Sequence, residues 1–138
     1  MILSSPTSFL DSFVSLLGFN FLESSIKLVN GKSIRMANNF TALFHAIGAS
    51  GLTFGYLFLS PKNESLYYIF KTFSTGYFLY DIGFCMKQMK GILKYCYLYH
   101  HLASIFYINS NVLYGAEGFG LAELSNIPSY IVYYLLKT

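Results

Sequence analysis

Apolar residues fall in long runs along this chain, separated by short polar breaks. The cleanest run covers residues 40–59, twenty positions without a formally charged side chain, bounded by Lys32 and Arg35 before it and by Pro61 and Lys62 after it. At about 1.5 Å of rise per residue, a helix of that length crosses a hydrocarbon core about 30 Å thick. Three further runs are comparably long but carry polar groups: residues 66–86 hold Lys71 and Asp81, residues 95–113 hold His100 and His101, and residues 119–136 hold Glu123 and Pro128. Weak hydropathy with aligned polar groups is the pattern of a helix that lines a bundle interior. Residues 9–22 form a shorter run, with Asp11, Ser12 and Ser15 on one helical side and Phe13, Leu16, Leu17 and Phe21 elsewhere. That run is either a tilted span, prolonged by Leu28 and Val29 beyond a polar break, or an interfacial helix. The predicted fold is therefore all-α, a multi-pass transmembrane bundle of about five helices. Residues 1–37 form an amphiphilic segment or first span, and residues 38–138 the main transmembrane domain.

Composition strengthens the membrane setting. Only 11% of the 138 residues are charged and 54% are hydrophobic, against about 25% charged in an average soluble domain. The net charge of +3 is small and dispersed, which argues against nucleic acid as a partner. The first ten residues contain no Lys or Arg, so the basic region of a cleaved signal peptide is missing. The basic residues alternate between connections: Lys27, Lys32 and Arg35 precede the 40–59 run, Lys62 alone follows it, Lys87, Lys90 and Lys94 precede the histidine run, none lies between residues 113 and 119, and Lys137 stands near the end. Successive crossings give this alternation, and it assigns the two basic connections and the C-terminus to the cytoplasmic side. Cys85 and Cys96 read as small buried side chains.

Candidate chemistry sits inside the runs. His45, Asp81 and the His100-His101 pair each lie about five residues from the cytoplasmic end of their run, roughly 8–9 Å deep, and so share one layer. Glu123 enters from the other side and need not reach it. His100, Ser104, Tyr107 and Asn111 follow i, i+4, i+7, i+11 spacing and form a stripe, while His101 points about 100° away, toward a neighbouring helix and Asp81. An acid beside an imidazole fixes its tautomer and raises its basicity, as a general base or nucleophile requires. The plainer alternative is that the histidines satisfy buried carboxylates. His45, Asp81, His100 and His101 are also metal-ligand types, but adjacent histidines on a helix do not converge on one ion, so no metal site is expected. Lys71 is expected to snorkel to the headgroups, about 15 Å along the axis from Asp81. Gly51 and Gly55 form a GxxxG pattern, read as close helix packing or alternatively as a homo-oligomer face.

Four stretches in order, Asn39 to Ala46 containing His45, Gly76 to Asp81, His100-His101 to Ser104, and Leu121 to Ser125 containing Glu123, make the chain from about residue 38 onward resemble the TLC domain. That domain is shared by ceramide synthases, translocation-associated membrane proteins and lipid-homeostasis proteins. The resemblance implies a multi-pass bundle in the endoplasmic reticulum or another internal membrane, with membrane lipid as partner. In the synthase branch it implies N-acylation with acyl-CoA as cosubstrate and no bound cofactor. Carried over, His100 and His101 with Asp81 would be catalytic, and His45, Ser104, Tyr107, Asn111 and Glu123 would contact substrate. The synthase pattern continues into two aspartates, whereas residues 121–126 here hold one Glu and no Asp. The chain therefore resembles the non-synthase branch more closely, acting in lipid homeostasis or acyl-lipid handling. The alternative is a non-catalytic cargo or translocation accessory with structural histidines. The family has further helices where this chain stops, so the bundle is minimal, truncated or completed by another copy.

Overall fold

A computed structural model describes residues 8–30, 33–59, 63–110 and 115–137. These residues are almost entirely helical: α1 (Phe9–Asn30), α2 (Ile34–Phe54, continued by a π-helical turn over Gly55–Leu59), α3 (Glu64–Gln88), α4 (Gly91–Asn109) and α5 (Gly115–Lys137). The expected runs are the apolar middles of these helices. Helices α2 and α3 start ahead of their runs because polar residues cap them: Ser33 accepts a hydrogen bond from the Met36 amide at 3.3 Å and Asn63 one from Leu66 at 3.1 Å, whereas α4 ends at Asn109 and residues 111–113 of the histidine run lie outside the described residues. Residues 9–22 and the polar stretch beyond them join into one helix, and the boundary drawn at residue 37 falls inside α2.

Side-chain pairs fix the direction of each helix. Asp11 meets Tyr68, Ser15 meets the Phe73 carbonyl and Glu23 meets Tyr80, so numbers rise together and α1 runs parallel to α3. Between α2 and α3, Asn38 meets Asp81 and His45 meets Ser74, so numbers run oppositely. The α2–α5 and α3–α4 pairs are antiparallel by the same test, through Asn39 with Tyr130 and His45 with Glu123, and through Asp81 with His101 and Thr75 with Asn109. The order is up-down throughout. Helices α5, α2, α3 and α4 form an arc, α1 lies against α2 and α3, and α4 touches α5 only sparsely.

Small residues set the closest approaches. A methyl group at Gly76 would overlap Ser15 of α1, and one at Gly120 would overlap Thr53 of α2. A methyl group at Gly51 would meet nothing within 4 Å, so half of the GxxxG pattern takes no part in packing within the bundle.

The core of Phe19, Phe70, Tyr77, Phe78 and Phe119 shares the interior with several ionisable side chains, while many large apolar side chains lie outside. Lys71, Asp81, His101, Glu123 and wholly enclosed His45 are buried, while Leu28, Ile92, Phe106 and Leu136 are each more than three-quarters exposed. Lys71 does not extend outward as snorkelling requires; its Nζ lies 5.0 Å from the Tyr67 ring centroid inside the bundle. Two helical stretches, Phe9–Val29 and Ile34–Leu59, are long and apolar enough to cross a membrane. Charge is also uneven between the ends among the described residues: Lys27, Arg35, Lys87, Lys90, Lys94 and Lys137 gather toward one end, with Glu23 near them, and Asp11, Glu64 and Glu117 lie at the other.

Candidate functional site

Two buried acid–imidazole pairs occupy the middle of the bundle. In the first, His45 of α2 lies with Nδ1 3.5 Å from Glu123 Oε2 of α5 and Nε2 3.2 Å from Ser74 Oγ of α3. A neutral ring can accept from the serine hydroxyl at Nε2 while Nδ1–H faces the carboxylate, although Nδ1 makes no aligned hydrogen bond among the described residues. The ring is stacked on Tyr77, with centroids 3.9 Å apart and planes 7° from parallel. This imidazole has no open side.

In the second pair, His101 Nε2 of α4 lies 2.7 Å from Asp81 Oδ2 of α3. The approach is close but off the line of the ring N–H, and neither ring nitrogen of His101 makes an aligned hydrogen bond among the described residues. Asn38 Nδ2 donates to the other oxygen, Asp81 Oδ1, at 2.9 Å, which fixes the carboxylate plane. Phe78 separates the two pairs, its ring centroid 5.5 Å from that of His45 and 5.4 Å from that of His101.

The second pair adjoins a cavity of about 810 Å³ at the basic end, within the size range of small-molecule sites. Asp81, Cys85, Tyr77, Asn38 and Asn39 supply its polar surface; Ala42, Phe84, Leu93, Tyr97 and Tyr130 supply apolar and aromatic wall. Exposed Arg35 and Lys90 stand at its rim. Residues of α4 and α5, two helices that touch only sparsely, form part of its wall.

The expected site residues divide accordingly. Asp81 and His101 are brought together, and so are His45 and Glu123. His100 is exposed on the outer side of α4, its ring centroid 5.3 Å from that of His101. Ser104 donates to the His100 carbonyl at 2.9 Å, and Tyr107 is partly exposed, so the stripe of His100, Ser104 and Tyr107 does not face the cavity. Asn111 lies outside the described residues. Cys85 is buried and Cys96 exposed, both as free thiols. Sequence reasoning misses Asn38, Tyr77 and Cys85; the i, i+4 spacing of Asp81 and Cys85 is the available signal. No family model, curated protein or solved structure matches this chain.

Proposed function

We propose that this is an integral membrane protein of five up-down spans whose side cavity holds an acyl lipid with an anionic headgroup. The observation that carries the reading is the outer surface: large apolar side chains cover it, while Lys71, Asp81, His45, His101 and Glu123 are buried within. In water, so much contiguous apolar surface would drive association, whereas hydrocarbon solvates it. Each helix has 19 to 25 residues, enough for a span. The pairing of Asp81 with His101 and of Glu123 with His45 offsets the cost of placing such groups at depth. The gathering of Lys and Arg at one end supports an orientation with that end toward the cytoplasm.

The lipid reading rests on the cavity, which joins a hydrocarbon-compatible wall to a rim carrying Arg35 and Lys90. A mouth between α4 and α5 would admit a chain from within the bilayer. The resemblance to the non-synthase TLC branch supports the same class of ligand and an internal membrane such as the endoplasmic reticulum. The experiment is lipid analysis of the protein purified in mild detergent and expressed in a host lacking it. Anionic acyl lipid should co-purify near one per chain, fall in the Arg35→Ala/Lys90→Ala double variant, and be displaced when Ala42→Phe fills the cavity. Equal recovery of lipid by all three proteins refutes the reading.

A second reading, a non-catalytic accessory with structural histidines, is favoured by the closed surroundings of His45. It predicts that crosslinking in membranes recovers a defined protein partner, with unchanged host lipids.

A further inference from the structure

We propose that Asp81, Cys85 and His101 form a binding site for one zinc-class divalent cation, with its remaining coordination position open to the cavity. The ligand set begins in sequence spacing. Asp81 and Cys85 are separated by one helical turn, so their side chains leave the same face of α3. The antiparallel α4 sets His101 against that face. The donor atoms of the three residues lie within 4.8 Å of one another, and all three side chains are buried. Tetrahedral zinc, with bonds of about 2.0–2.3 Å, separates its ligands by about 3.3–3.7 Å. Seating the ion therefore asks for side-chain shifts of about 1 Å or less, in which Asp81 Oδ2 and His101 Nε2, 2.7 Å apart, separate while wider donor distances close, and rotamer adjustment supplies them.

Three features favour an ion over a simple acid–imidazole contact. Both nitrogens of His101 lack an aligned hydrogen bond, although the residue is only 5% exposed. Asn38 holds Asp81 Oδ1 and leaves Oδ2 turned toward His101, the orienting contact that metal-binding carboxylates receive from neighbouring groups. A dication bound by one carboxylate, one thiolate and a neutral imidazole is uncharged overall, and so tolerates a low-dielectric bundle.

The donors also select the metal. Nitrogen, oxygen and sulfur together suit zinc or cobalt, whereas magnesium and calcium demand oxygen ligands. Asp81 and Cys85 line the cavity, so a fourth ligand, water or a ligand oxygen, would approach from there. Adjacent histidines do not chelate, but this set uses only His101 and leaves His100 outside. The assignment stands on geometry alone and does not depend on a lipid occupying the cavity.

The test uses the full chain in detergent, stripped with chelator and titrated with Co²⁺. One ion per chain should bind with tetrahedral visible absorption and a thiolate-to-cobalt charge-transfer band, both erased by Zn²⁺. Cys85→Ser should abolish the charge-transfer band and Cys96→Ser should retain it. Asn38→Ala should weaken binding about 10–100-fold while leaving the ligands intact. Absence of stoichiometric binding, or a charge-transfer band that survives Cys85→Ser, overturns the proposal. Should Cys85→Ser fail to fold, the native chain still decides: Zn²⁺ should slow mixed-disulfide formation between Cys85 and a small methanethiosulfonate, with release of methanesulfinate, at least about tenfold, and an unchanged rate overturns the site.

Discussion

Replacing Gly76 with alanine sets two opposed effects against each other, and the structure gives the balance. Alanine in a helix interior is favoured over glycine by about 1 kcal/mol. Against this, the added methyl would overlap the Ser15 side chain and come within 2.9 Å of the Leu16 amide nitrogen. Carbon contacts want about 3.5–4.0 Å, so α1 must retreat from α3 by about 1 Å. A flexible side chain could swing aside, but backbone cannot, which places the overpacking cost in the upper part of the usual range of about 1–3 kcal/mol. The hydrogen bond from Ser15 Oγ to the Phe73 carbonyl, 3.3 Å long, is stretched as well. The net expectation is a loss of about 1–3 kcal/mol. Gly51→Ala is the matched control, because nothing lies within 4 Å of its methyl position, and it should gain up to about 1 kcal/mol. Unfolding can be followed by the temperature at which buried Cys85 becomes reactive to a bulky fluorogenic maleimide in detergent, in a Cys96→Ser background. At about 3–5 °C per kcal/mol the two variants should fall on opposite sides of the parent. A Gly76→Ala protein that melts at or above the parent refutes the close α1–α3 approach.

Other outcomes follow from the same contacts. His45→Phe leaves Glu123 buried without its partner and should cost about 3–5 kcal/mol, while adding Glu123→Leu should restore most of the loss; a double variant no more stable than the single would show the pair to be uncoupled. In the folded chain a membrane-permeant bulky maleimide should modify Cys96 and spare Cys85, and denaturation should expose both, as peptide mass spectrometry can report. In a cysteine-free background, Asn63→Cys and Gln88→Cys should label from opposite sides of sealed vesicles, and same-side labelling would rule out α3 as a span.

The helices are legible in the sequence because each has an apolar middle, but their ends are not. Ser33 caps α2 well before the clean run begins at Phe40, and this alters the depth of the site. Counted from Ile34, His45 lies about 16 Å from the basic end rather than about 8 Å. That depth brings it opposite Glu123, even though Glu123 enters its own helix from the other side. The nearness of Asp81 and His101 is readable from their positions close to one shared connection, a short-range inference that does not depend on distant helix ends. His100, Ser104 and Tyr107 do share a stripe, but periodicity states only that residues share a face, not whether that face turns inward. The polar break after residue 22 hides the continuity of α1, since the partner of Glu23 is Tyr80, far away in sequence. Cys85 gains meaning only when α4 supplies the histidine opposite it.

An arc of four helices, unlike a closed ring, has no fixed circumference. Helix α4 stands at one end of it, and its described polar ties to the remaining helices include His101 to Asp81, Asn109 to Thr75 and Lys94 Nζ to the Met86 carbonyl, all on α3. A roll of α4 about α3 would change the width of any opening between α4 and α5, which touch only sparsely, and would leave the α1–α3 and α2–α5 contacts in place. The aperture and the Asp81–His101 contact are thus geometrically coupled. A ligand that engages that carboxylate and imidazole would therefore bear on how far α4 stands from α5.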